Sequence, residues 1–108
     1  MVKLSESGRR TYQDDSAQKA LEAIGYDPER FDAVLTDQWM PQLTGVQLAE
    51  QIKAKRAQLP VIVVSGYGGP ELQRSAQDAG VHQLFHKPYD LSTLARALAS
   101  ALGYSRKP

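Results

Sequence analysis

The chain is predicted to fold as an α/β domain, a doubly wound parallel sheet covered by helices on both faces in three layers, α/β/α. Three observations predict it. Two short aliphatic runs, residues 31–37 and 59–65, are rich in β-branched side chains and close on turn formers. Neither alternates cleanly between apolar and polar residues, as expected for parallel strands buried on both faces. Segments with helical spacing separate them, so strands and helices alternate along the chain, the order that gives parallel sheets with crossover helices.

Taken in order, residues 10–14 form a short candidate strand and residues 16–24 a helix. The run 31–37 is the next strand. The helix over 44–56 carries Val46, Ala49 and Ile52 at three-residue steps beside Leu48, with Thr44 placed to cap it. The strand 59–65 contains the most apolar stretch, residues 61–64. The helix 70–79 opens on Pro70, a suitable first helical residue, and stops at Gly80. A weaker strand, 83–86, precedes Lys87-Pro88, and a helix over 91–102 follows Asp90 as N-cap and ends before Gly103. Residues before Arg10 and the tail 103–108 carry little periodic signal and are expected to be irregular.

Composition narrows the function classes. At 108 residues there is room for one core. Thirteen basic and twelve acidic side chains leave a net charge of +1, too small a field to suggest nucleic acid or anionic lipid as the main partner. The absence of cysteine excludes disulfides, thiolate metal sites and cysteine nucleophiles, and fits a cytoplasmic protein. No apolar run approaches the roughly 20 residues of a membrane span, and the start, MVKLSESGRR, lacks a signal peptide's apolar stretch.

In an open parallel sheet, chemistry gathers at the carboxyl ends of the strands. Asp37, Ser65 and Lys87 each fall at such an end, so a carboxylate, a hydroxyl and an ammonium are expected along one edge, a set suited to handling a phosphoryl group. Taken singly, each has a plainer reading: Asp37 as a strand-end turn residue or helix cap, Ser65 as a hydroxyl satisfying local backbone, Lys87 as a surface lysine before a turn.

Together, Leu35-Thr36-Asp37-Gln38-Trp39-Met40-Pro41, Gly45 eight residues after Asp37, Val64-Ser65-Gly66, and Lys87-Pro88 a further 22 residues after Ser65 resemble the sequential signature of response-regulator receiver domains of two-component signalling. The resemblance covers roughly residues 4–102. It implies a flavodoxin-like sheet of order 2-1-3-4-5 and a phosphorelay role. Asp37 would accept a phosphoryl group from a histidine kinase or phosphotransfer protein, making the chain a phosphoprotein carrying an aspartyl phosphate. Ser65 would bind a phosphate oxygen, Lys87 would supply positive charge across a cis Lys87-Pro88 bond, and Mg²⁺ would be held by Asp37 and the Trp39 backbone carbonyl. The chain would be a stand-alone regulator or the receiver of a hybrid histidine kinase, in either case a signalling module and not an enzyme.

The sequence also departs from this pattern. The family carries an acidic, Mg²⁺-binding pair after its first strand, more than forty residues before the acceptor, whereas 36 residues precede Asp37 here. In register, residues 4–8 resemble the end of the first helix and 10–14 the second strand. Residues 1–108 are thus expected to form a single receiver domain lacking its first strand and most of its first helix. Asp14 and Asp15 are expected to be a solvated pair, with Asp15 or Ser16 capping the next helix, and not metal ligands. Magnesium binding should be weak or lost. The missing central strand predicts exposed edges, hence direct pairing of the second and third strands, element exchange, or a homodimer by edge pairing.

Leu84 stands three residues before Lys87, where many receivers carry an aromatic switch; Phe85, Tyr89 and Tyr67 are read as packing or loop residues. An alternative is a pseudo-receiver, an interaction module that is not phosphorylated because the acidic pair is absent. A phosphatase is disfavoured because the second aspartate its aspartyl nucleophile needs is Trp39 here. His82 and His86 are expected to be structural or exposed.

Overall fold

The computed structural model describes residues 2–6, 10–14, 16–27, 29–40, 42–66, 68–87 and 91–106, and the side chains of all of these except 10, 11, 14, 91 and 102–106. Pro41, Tyr67, Pro88, Tyr89 and Asp90, and with them the Lys87-Pro88 bond and the Asp90 cap, lie outside the described residues, as does Asp15.

Five strands, β1 (Val2–Glu6), β2 (Arg10–Asp14), β3 (Ala33–Asp37), β4 (Val61–Ser65) and β5 (Gln83–His86), form one sheet ordered β2-β1-β3-β4-β5. β3, β4 and β5 are parallel neighbours. β1 is antiparallel to both β2 and β3, so β2 runs in the same direction as β3, β4 and β5. The predicted α/β class and the strand order 2-1-3-4-5 both hold, and the sheet is parallel as expected except for β1.

One expectation is corrected. Register with the family puts residues 4–6 at the end of a helix, but they belong to β1, which fills the interior position between β2 and β3. Val2 and Leu4 are buried while Lys3 and Ser5 are only partly so, a period-2 pattern suited to a strand with one packed and one solvated face. Direction follows from connection length. Three residues separate β1 from β2, enough for a hairpin, whereas a parallel crossover needs a dozen or more. An empty slot between β2 and β3 would leave two rows of backbone donors and acceptors without partners, and β1 satisfies both. Strands β2 and β3 therefore do not pair with each other, and the open slot from which strand exchange is expected is filled.

β1 is further tied to the chain entering β3. The Asp32 N–H donates to the Ser5 carbonyl at 2.8 Å. Arg30 Nε donates to Glu6 Oε2 at 2.9 Å, and its guanidinium lies 4.7 Å from the Tyr12 ring centre and 5.0 Å from that of Phe31. β3 begins at Ala33 and not at residue 31, because Phe31 and Asp32 serve this clasp; the Phe31 carbonyl accepts from Arg56 Nη1. β4 begins after Pro60, which has no N–H for the ladder but whose carbonyl accepts from Val34 N at 3.0 Å.

Helix α1 (Ala17–Tyr26) is capped by the Ser16 hydroxyl, which accepts from Lys19 N, and buries Ala17, Ala20, Leu21 and Ile24 at helical spacing. Helix α2 (Gly45–Lys55) starts in a reciprocal capping box: Gln47 N donates to Thr44 Oγ1 at 3.1 Å, and Thr44 N donates to Gln47 Oε1 at 2.9 Å. Helix α3 (Pro70–Asp78) opens on its proline, and Gly80 beyond its end takes a left-handed φ of 78°. Helix α4 (Leu91–Arg106) runs four residues past the expected stop at 102. One glycine inside a helix costs only about 1 kcal/mol, too little to end it.

α1 and α2 pack on one sheet face around Val2, Leu4, Val34, Val61 and Val63, and α3 extends that layer through Ala76 and Ala79 against Val46. α4 covers the other face, with Ala97 and Ala101 on Ala33 and Ile62. All five residues of β4 are buried, which explains its unbroken aliphatic sequence.

Candidate functional site

Parallel register brings three predicted site residues to one edge. Asp37 ends β3 level with Val64, and Ser65 is the next residue of β4, level with His86. Lys87 continues β5 by one step, its N–H donating to the Ser65 carbonyl at 2.8 Å. Its ammonium Nζ then lies 3.8 Å from Asp37 Oδ1. Both side chains are solvent-accessible, Lys87 at 51% and Asp37 at 30%, so the pair contributes on the order of 0–1 kcal/mol to stability. Its consequence is local: a cation stands beside a carboxylate that water and a partner can still reach. Ser65, which ends the intervening strand β4, is 1% exposed.

The loop after β3 is held from below. Gln38 is 3% exposed and bonds through three of its groups: its N–H donates to the Val64 carbonyl, its carbonyl accepts from Gly45 N, and its side-chain Oε1 accepts from Val46 N at 2.9 Å. Gln38 thus joins β3, β4 and the first turn of α2, satisfying helix N–H groups that would otherwise lack partners. Gly45 is required at this contact, because a Cβ there would sit 2.6 Å from the Asp37 carbonyl oxygen. Thr36 Oγ1 donates to the same carbonyl at 3.0 Å. The acceptor candidate is therefore fixed by its own backbone. Sequence reasoning misses Gln38, because a glutamine after the aspartate reads as loop surface.

Trp39 is 47% exposed, two residues beyond Asp37 on the same loop. Asp14 pairs with Val2, which pairs with Thr36, so the end of β2 reaches the same edge two strands away, roughly 10 Å in backbone terms. Ser16, of the two expected caps, holds the start of α1. Among the described residues, no group of three or more His, Asp or Glu side chains could hold a metal ion.

Leu84 and Phe85 point to opposite faces, Leu84 toward α2 and α3 and Phe85 toward α4, both as packing. His82 precedes β5, far from Asp37. Partial burial, with the Lys53 charge nearby as a lesser cause, holds its pKa below the usual histidine value, and its Nε2 lies 3.4 Å from Ser100 Oγ. Lys53 is itself held below the usual lysine range by burial. His86 stands at the other end of β5 in a groove with Arg74. Among the described residues no helix is long and apolar enough to cross a membrane.

Comparison with known proteins gives the family and supports the fold. The family model of the response regulator receiver domain matches residues 3–99. The two-component response regulator ORR11 of Oryza sativa subsp. indica is 30% identical over 90 residues, 82% of this chain and 60% of its own length. The transcriptional regulatory protein FixJ of Azorhizobium caulinodans is 32% identical over 102 residues, 94% of this chain and 47% of its own. This chain thus spans about half to three-fifths of these relatives. Among solved structures, a response regulator receiver domain protein from Clostridium thermocellum superposes with a TM-score of 0.79 at 25% identity, covering 85% of this chain and 73% of that one.

Proposed function

Given that the chain belongs to the response regulator receiver domain family, we propose that it is a phosphorelay module whose Asp37 accepts a phosphoryl group from the phosphohistidine of a histidine kinase or phosphotransfer protein. The observation that carries this reading is the Lys87 ammonium 3.8 Å from Asp37 Oδ1, with Ser65 in the adjacent strand. In the transfer, a carboxylate oxygen of Asp37 forms the new bond to phosphorus as the phosphorus–nitrogen bond to the donor imidazole breaks, and the imidazole leaves with the electron pair. Lys87 balances the charge gathering on the phosphoryl oxygens. The Ser65 hydroxyl donates to one of them once its side chain turns toward the edge. The module transmits a state to partners in the cytoplasm and turns over no free substrate.

Magnesium is the expected neutralising ion. Of its donors the described residues supply the Asp37 carboxylate and the Trp39 carbonyl, fewer than the carboxylates and phosphate that usually anchor this ion, so they do not fit a strong site and no step is assigned to it. A second reading, a pseudo-receiver that is not phosphorylated, is favoured by β1. Residues 1–108 then form one receiver domain in which a reversed strand, Val-Lys-Leu-Ser-Glu, stands where the family carries the strand that leads to its acidic pair. Phosphotransfer from an autophosphorylated histidine kinase separates the two. Label moving onto the chain, and moving more slowly onto Lys87→Ala, supports the first reading; label that never leaves any kinase offered supports the second.

A further inference from the structure

Helix α3 separates two grooves of opposite charge. On its β5 side lies one of about 520 Å³ with Arg74 and His86 on its walls. On its α2 side, directly beyond Asp37, lies another of about 470 Å³. Two carboxylates line the second, Glu50 from α2 and Glu71 from the first turn of α3, and among the described residues no lysine, arginine or histidine does. Its apolar lining comes from Leu72, from the buried Val46 beneath, and from Trp39, a residue 47% exposed. Val46 and Glu50 are one helical turn apart on α2, so the apolar floor and the carboxylate stand on one face.

From these features we infer that the α2–α3 groove is a docking site for an arginine side chain presented by a peptide segment of a partner protein. The match is chemical at each point. The methylene stem of an arginine covers Leu72 and Val46, its planar guanidinium stacks on an indole, and its forked donors bond carboxylates in pairs. The chain as a whole is nearly neutral, so this local pair of charges, and not a global field, supplies the preference. The groove wall also includes Gly68, whose φ of 150° places its backbone so close to α3 that a Cβ there would lie 2.4 Å from Leu72 Cδ2. That glycine belongs to the segment that begins at Ser65, so an occupant touches the chain leaving the Asp37 edge.

Trp39 is the chain's single tryptophan, so its fluorescence reads the groove directly. Titration of the whole, unphosphorylated chain with a capped Ala-Arg-Arg-Ala peptide is expected to give a saturable change that weakens with added salt. Affinity should fall roughly five- to tenfold in the Glu50→Gln/Glu71→Gln double variant, the size expected for two solvent-accessible charge contacts. Circular dichroism of this variant should match the parent, because both glutamates are exposed. The lysine counterpart should bind more weakly and the glutamate counterpart should give no saturable change. The proposal is overturned by unchanged affinity in the double variant, by a lysine or glutamate peptide binding as tightly as the arginine one, or by no saturable response up to about 10 mM.

Discussion

Val2 and Thr36 stand opposite each other on strands that run in opposite directions, one residue short of Asp37. The reversed β1 therefore begins at the Asp37 edge of the sheet and ends, at Glu6, on the far side. Leu4, 3% exposed in the main core, is one test of this placement. Leu4→Ala should cost about 2–5 kcal/mol, as for other buried leucines, while Lys3→Ala, on the partly solvated face, should change stability by about 0.5 kcal/mol or less. Urea denaturation of the two variants checks it, and equal effects would contradict a strand with one buried face.

The Arg30 clasp fastens this strand without belonging to the core. Arg30→Ala should accelerate amide exchange across residues 2–6 and 10–14 well before it affects β4. Uniform acceleration across the sheet would show that β1 is not a separately fastened element.

Gly45 leaves no room for a side chain against the Asp37 carbonyl. Gly45→Ala should destabilise the domain by roughly 1–3 kcal/mol through displaced backbone. It should slow phosphorylation more than Gly66→Ala, since among the described residues nothing beyond the chain neighbours lies within 4 Å of a Cβ at Gly66. Comparable initial rates for the two variants would detach the loop geometry from reactivity.

His82 binds its proton less readily in the folded chain than the ordinary value of 6.5 implies. A depressed pKa means that the unfolded chain takes up more protons in this window, so stability is fully present above about 6.5 and is lost as pH falls from there through the folded value. Urea midpoints should decline from pH 7.5 to 5.5 in the parent and decline less in His82→Gln. An identical decline in both would assign it to other groups.

Much of the fold, and the edge that gathers Asp37, Ser65 and Lys87, is legible in the amino-acid sequence. β3 and β4 carry unbroken aliphatic runs because both faces are covered, and α2 carries its cap and its period together, so local chemistry and tertiary burial agree. The order of Asp37, Ser65 and Lys87 along the chain then follows from parallel register. The first strand is not legible. Five residues with a Val-Lys-Leu-Ser alternation are too short to declare a period, and what makes them a strand is a vacant position between two others, a non-local fact. Gln38 escapes for a related reason: its burial is set by the first turn of α2, eight residues on, and not by its own polarity.

The claim that Asp37 is the phosphoacceptor is tested most directly by intact-mass spectrometry after incubation with acetyl phosphate and Mg²⁺. A single phosphoryl adduct is expected on a minor fraction of the chain, given the thin donor set for the metal, and none on Asp37→Asn. An adduct that persists in Asp37→Asn would contradict the account.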